Sequence, residues 1–202
     1  MNAESERIKR AVDIVGATAG LALAAPILAL AACAIKLEDR GPVLFRQMRL
    51  GRGAKQFEIL KLRTMTVDAE KLRGDGVVVD GDPRITRIGN FLRRTAVDEL
   101  PQLWHVLRGE MSLVGPRPTL GYQVERYTER QRRRLEVKPG LTGWAQVNGR
   151  ASLSWPERIE LDVWYVEHRS LALDLRILLR TVSVLLRPSV VYRSETGGWR
   201  EP

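Results

Sequence analysis

Ile14–Ile35, IVGATAGLALAAPILALAACAI, runs without a charged residue and contains one proline, Pro26. It exceeds the roughly 18 apolar residues that mark a membrane-helix candidate. A cleaved leader fits less well, because its apolar region is only about 7–15 residues long. Two features argue against a simple crossing. Pro26 lies near the middle, lacks an N–H and presses on the preceding helical turn. Basic residues flank both ends: Arg7, Lys9 and Arg10 before, then Lys36, Arg40, Arg46, Arg49 and Arg52 after. Such flanks favour one side of a membrane, the cytoplasmic side. The stretch therefore predicts a helix–break–helix hairpin that enters and leaves by the same face. A kinked spanning helix is the alternative.

The chain has 202 residues, which suits one domain of ordinary size plus an appendage. Lys+Arg 33 against Asp+Glu 24 gives a net charge of +9, a balance suited to phosphates, lipid headgroups or nucleic acid. Cys33 is the single cysteine, so no disulfide forms within the chain. With two histidines, His105 and His168, that leaves too few soft ligands for a zinc cluster.

Beyond the apolar stretch, Val43–Gln47 and Gln56–Lys61 read as strands joined by a turn at Gly51–Gly53. Val67–Arg73 reads as a short helix and Gly74–Pro83 as a loop. Ile88–Arg94 and Glu99–Leu107 read as helices, the second stopped by Gly109. Gly121–Val137 reads as a charged helix with Arg126, Arg130 and Arg132–Arg134, either solvated at the surface or in contact with lipid headgroups. Ser154-Trp155-Pro156-Glu157 is a capping box that opens a helix to about His168. Leu171–Leu186 is apolar round most of its girth, with Arg176, Arg180 and Arg187 on one stripe. That pattern suits either an interfacial helix or a core helix with one solvated stripe. The fold class is α+β, mainly α.

Thr95–Pro118, TAVDELPQLWHVLRGEMSLVGPRP, carries the chemistry. Pro101 fits the first turn of a helix, which places Asp98 at or near an N-cap, where backbone N–H groups attract phosphate. Arg93, Arg94 and Arg117 add positive charge. Carboxylates beside arginines suggest reaction at a phosphate ester. Neighbours in a helix do not share a face, so Asp98 and Glu99 are not interchangeable. His105 reads as a helix-face histidine with a structural hydrogen bond. The Gly140–Gly149 stretch with Trp144 reads as a cover for a ligand or a membrane contact. It is neither a Walker loop nor a GxGxxG fingerprint.

From about Lys9 to Arg187 the chain resembles the bacterial sugar transferases, the monotopic polyprenyl-phosphate phosphoglycosyl transferases. The resemblance is carried by KRAVD (Lys9–Asp13), KLRTM (Lys61–Met65), DPRITRIGNFLRRTAVDELPQLW (Asp82–Trp104), SLVGPRP (Ser112–Pro118) and KPGLTGWAQVNGR (Lys138–Arg150). It implies a re-entrant membrane hairpin over residues 1–37, broken at Ala25-Pro26 where the family has Ser-Pro. It also implies a small β-hairpin and amphipathic interfacial helices around a catalytic core, within a cytoplasmic, membrane-associated domain over 38–202. The implied reaction moves a sugar-1-phosphate from a UDP-sugar to undecaprenyl phosphate, releases UMP and starts glycoconjugate or exopolysaccharide assembly at the bacterial inner membrane. Asp98 is implied as nucleophile and as ligand to Mg²⁺, with Glu99 assisting as base or by orientation. Lys61, Arg93 and Arg117 match phosphate- or nucleotide-site positions, with Pro116 and Pro118 stiffening the backbone around Arg117. The expected partners are the UDP-sugar, undecaprenyl phosphate and membrane lipids, with a homodimer left open and no nucleic acid. The competing readings are a membrane-tethered nucleotide-sugar phosphohydrolase and a basic, membrane-bound nucleic-acid-binding protein.

Overall fold

The computed structural model describes residues 1–67, 69, 81–149 and 153–186. The short helix expected over Val67–Arg73, most of the Gly74–Pro83 loop, and Arg187 lie outside the described residues.

Helix α1 runs over Ala3–Asp39, opened by the Asn2 side chain accepting from the Ser5 N–H and closed by left-handed Arg40. It is long and apolar enough to cross a membrane. Helical structure continues through Ala25 and Pro26, so the interruption expected there does not appear as a loss of helix. Proline forfeits one backbone bond and costs about 3 kcal/mol, and packing along the helix offsets that. Asp13, Ala17, Ala24, Ala31 and Ile35 are buried, and Leu21 and Leu28 are partly buried. Their spacing of three and four makes one stripe against the body. The other face leaves Val15, Leu23, Leu30 and Leu37 exposed.

Both ends of α1 are tied to that body. Near the start, Lys9 donates to Asp174 and to the Val114 carbonyl. Arg10 donates to the Val106 and Leu107 carbonyls. Asp13 accepts from the Ser112 hydroxyl and the Leu113 N–H. At the far end Glu38 accepts from the Arg87 N–H, and Asp39 takes both guanidinium nitrogens of Arg63.

Strands β1 (Leu44–Leu50) and β2 (Gln56–Leu62) form the expected antiparallel hairpin, with a 3-10 turn at Arg52–Ala54. Helix α2 (Arg87–Thr95) follows. A 3-10 segment, Val97–Gln102, then leads into α3 (Leu103–Arg108), capped by Gly109 at φ 81. Strands β3 (Ser112–Val114) and β4 (Gly140–Thr142) pair in parallel.

The single charged helix expected over Gly121–Val137 is instead three pieces: α4 (Gly121–Glu125), α5 (Glu129–Arg132) and a 3-10 turn over Arg133–Glu136. The break follows from Thr128, whose capping box with Gln131 starts a new helix, and from Tyr127, which is buried. Helices α6 (Trp144–Val147), α7 (Trp155–His168) and α8 (Leu171–Leu185) complete the described chain, with Ser154 capping α7 as expected.

One core joins α1 to the hairpin and α3 through Ala17, Phe57, Ile59, Leu103, Val106 and Met111. Another joins β3 to α7 and α8 through Val114, Tyr165, Val166 and Ile177. Helix α8 buries Leu173 and Ile177 yet exposes Leu175, Leu179 and Val182.

Candidate active site

Asp98 sits inside the 3-10 segment, not at the N-cap of an α-helix. Ala96, the residue between α2 and this segment, is left-handed at φ 56, and its N–H bonds back to the Leu92 and Arg93 carbonyls. A non-glycine residue there costs about 1 kcal/mol or more. The tight reversal sets the Val97–Gln102 turn against β2 and α1.

Alternation along β2 points Lys61 to the same face as Phe57 and Ile59, toward that turn. Its Nζ donates to Glu99 Oε1 at 2.7 Å. Arg117 approaches Glu99 from the other side, Nη2 donating at 2.5 Å and Nη1 at 3.3 Å. Arg93 extends from α2, its Nε donating to Thr64 Oγ1 at 2.7 Å. Asp98 is 7% exposed, and among the described residues its carboxylate has no hydrogen bond or ion pair.

The two carboxylates are driven apart. Burial, then the charge of Glu99, raises Asp98 to about 6 against the partial offset of Lys61, Arg93 and Arg117. Burial acts to raise Glu99 as well, but Arg117 and Lys61 overcome it and hold Glu99 far below the usual carboxylate range. Lys61 is lowered by burial despite Glu99. Asp98 is thus the more basic carboxylate, unpaired and narrowly open to solvent, while Glu99 is a fixed anion clamping two cations. The structure brings Lys61, Arg93, Asp98, Glu99 and Arg117 into one group.

Pro116 and Pro118 are buried, and Arg117 between them is exposed. Their segment is strapped down: the Pro116 carbonyl accepts from the Gly140 N–H, and the Thr119 carbonyl from the Leu50 N–H. The glycines of the Gly140–Gly149 stretch explain this approach. A Cβ on Gly140 would lie 2.1 Å from the Gly115 nitrogen, and one on Gly143 2.1 Å from the Gly115 oxygen. These glycines serve backbone packing behind Arg117. Trp144 stacks on Trp164 at 5.0 Å with Arg180 over its ring.

Two contributors were missed in sequence. Arg49 on β1 is lowered to about 10 by burial and by the Arg117 charge. The alternation Phe45–Gln47–Arg49 was the signal that would have placed it on the inner face. Arg134 is 3% exposed. It donates to Asp162 and Tyr127 at 2.5 Å and to the Arg117 carbonyl at 3.0 Å. No spacing links Arg134 to Asp162. His105 is structural: its Nε2 accepts from the Leu60 N–H at 3.1 Å, so Nδ1 carries the proton toward Glu110 at 2.7 Å.

Among the described residues no cluster of three or more His, Cys, Asp or Glu exists to cage a metal ion. A single free carboxylate fits Mg²⁺ held chiefly by substrate phosphate oxygens.

Residues 4–188 match the bacterial sugar transferase family. The chain is 44% identical over 179 residues to an uncharacterized sugar transferase of Bacillus subtilis (strain 168), covering 89% of this chain and 87% of that one. It is 48% identical over 196 residues to the UDP-glucose:undecaprenyl-phosphate glucose-1-phosphate transferase of Caulobacter vibrioides, covering 91% and 72%. It is 41% identical over 202 residues to the UDP-galactose-lipid carrier transferase of Erwinia amylovora, covering 93% of this chain but 42% of that protein. The chain thus spans most of some relatives and less than half of others. Matched over nearly its whole described length, with Lys61, Asp98, Glu99 and Arg117 assembled at one site, the chain belongs to the bacterial sugar transferase family.

Proposed function

We propose that the protein transfers a sugar-1-phosphate from a UDP-sugar to undecaprenyl phosphate through a covalent intermediate on Asp98. The observation that carries this reading is the asymmetry of the two carboxylates: Asp98 unpaired and raised to about 6, Glu99 locked between Lys61 and Arg117. A raised, unpaired carboxylate is a competent nucleophile. One oxygen of Asp98 attacks the sugar-bearing phosphorus, and the bond from that phosphorus to the oxygen of UMP breaks. UMP leaves. An oxygen of undecaprenyl phosphate then attacks the same phosphorus, and the Asp98 carboxylate is released.

Glu99, held strongly acidic, does not serve as a base. It orients Lys61 and Arg117, which together with Arg93 stabilise the phosphoryl oxygens. Mg²⁺, with Asp98 as its protein ligand, would neutralise the diphosphate of the UDP-sugar and the departing UMP when bound.

We place the active region, 38–202, on the cytoplasmic face of the inner membrane, with residues 1–37 entering one leaflet and returning. The basic flanks support this, and so do the contacts tying both ends of α1 to one body.

Labelled UDP-sugars, with and without undecaprenyl phosphate, test the reading. UMP release that requires the lipid is expected. Release without lipid would instead make the protein a phosphohydrolase, and no release with any UDP-sugar would leave a binding protein.

A further inference from the structure

A second basic site lies apart from Asp98. A cavity of about 270 Å³ opens between the start of α1, the β1–β2 turn, Lys138 and the α7–α8 junction. At roughly 30 Å³ of liquid per water, it has room for a group of several heavy atoms. Six cations line it: Arg7, Lys9, Arg10, Arg52, Lys138 and Arg169. Its acids are Glu6 and Asp13. Glu6 pairs with Arg169 at 2.7 Å, and Asp13 accepts from Ser112 and the Leu113 N–H. Lys9 and Arg10 are engaged with Asp174 and with backbone carbonyls. Among the described residues Arg7, Arg52 and Lys138 make no hydrogen bond or ion pair with their side chains. Lys61, Asp98, Glu99 and Arg117 do not line the cavity.

We infer that this cavity binds the phosphate of a phosphate ester, as a site separate from the Asp98 group. Arg7 and Arg52 are exposed and Lys138 is half-buried, and the six cations of the lining outnumber its two acids, a surplus of charge that an anion offsets. Burial, then the Arg10 charge, lowers the affinity of Lys138 for a proton. Phosphate suits the site because several N–H donors share its oxygens. The position favours a lipid headgroup as source. Arg7, Lys9 and Arg10 immediately precede the apolar stretch, and Val12 and Val15 beside them are 48% and 69% exposed. A segment inserted from Ile14 onward holds the cavity at headgroup depth. The inference does not depend on the transferase reading.

The test is titration of the full chain in non-ionic detergent with short-chain dihexanoyl-phosphatidylglycerol, dihexanoyl-phosphatidylcholine and inorganic phosphate. Arg52→Ala/Lys138→Ala removes two lining charges. Arg126→Ala/Arg132→Ala removes two equally unpaired charges elsewhere. The wild type should bind phosphatidylglycerol at least tenfold more tightly than phosphatidylcholine. The cavity variant should lose at least tenfold of that affinity, and the control less than twofold. Binding of phosphatidylglycerol but not phosphate identifies a headgroup site, and equal displacement by phosphate identifies a free-phosphate site. Equal affinity for the two lipids, or equal loss in the two variants, overturns the inference. Lys138→Gln, which keeps much of the side chain, repeats the comparison if the cavity variant melts early.

Discussion

Arg117 and Glu99 form a two-pronged pair, with guanidinium nitrogens at 2.5 and 3.3 Å from the carboxylate oxygens. The pair matters for what it leaves out. Arg117 and Lys61 both spend their hydrogen bonds on Glu99, so adjacent Asp98 keeps a free carboxylate in a buried, cationic setting.

Asp98→Asn should cut turnover by at least about 10³-fold, because the amide does not attack phosphorus. It should also stabilise the fold. The carboxyl is raised from 3.8 to about 6 on folding, so the native state binds the proton more tightly, and stability falls as pH rises through that interval. The penalty, at most about 3 kcal/mol by the shift, is complete above pH 6. Thermal melts of Asp98→Asn should exceed wild type by a few degrees at pH 7, with the gap closing by pH 4. Near-normal turnover would remove Asp98 as nucleophile.

Activity should fall on acidification through about pH 6, as Asp98 takes up its proton. Glu99 contributes to raising Asp98. In Glu99→Gln that charge is gone, and Lys61 and Arg117 are freed to favour ionised Asp98. The acid limb of kcat/KM should therefore move to lower pH while the maximum rate drops. An unmoved limb would assign it to another group.

Breaking the buried Arg134–Asp162 pair should destabilise the protein by about 3–5 kcal/mol, since one charge is left uncompensated. Arg134→Lys retains the charge but not the three-way contact with Asp162, Tyr127 and the Arg117 carbonyl. It should fold and raise KM for the UDP-sugar several-fold. Steady-state kinetics with unchanged KM would confine Arg134 to a stability role.

Turnover should require Mg²⁺ or Mn²⁺, because a single free carboxylate leaves most of the diphosphate charge unneutralised. Full activity after exhaustive EDTA treatment and desalting would exclude the cation.

In a Cys33→Ala background, Ser5→Cys and Arg40→Cys should both label from the cytoplasmic side. Labelling from opposite sides would mean that α1 spans. Because α1 is held at both ends and along its stripe, Pro26→Ala is expected to shift the pattern only in part.

Much of the secondary structure was legible. The β1–β2 hairpin, α2, the Ser154 cap of α7 and α8 each carry local signals in turn, cap or periodicity. The split of Gly121–Val137 was not legible as charge pattern, because Tyr127 turns inward to meet Arg134 and Thr119 and to pack in one core with Ile159 and Val163 of α7. The helix expected from Glu99 onward proved 3-10 over its first turns because of the left-handed Ala96, which no propensity favours. At the site, motif context named Lys61, Arg93, Asp98, Glu99 and Arg117. The division of labour between the two carboxylates needed coordinates, since it depends on which one the cations reach.

The ties at the start of α1 also set an order on biosynthesis. Arg10 meets Val106 and Leu107, Asp13 meets Ser112, and Lys9 meets Asp174, which lies 165 residues further on. Helix α1 thus emerges from the ribosome well before the last of its partners. Its apolar face must be sheltered by lipid or chaperone while most of the chain is still being made. Until α8 emerges, the Lys9 ammonium waits for its carboxylate.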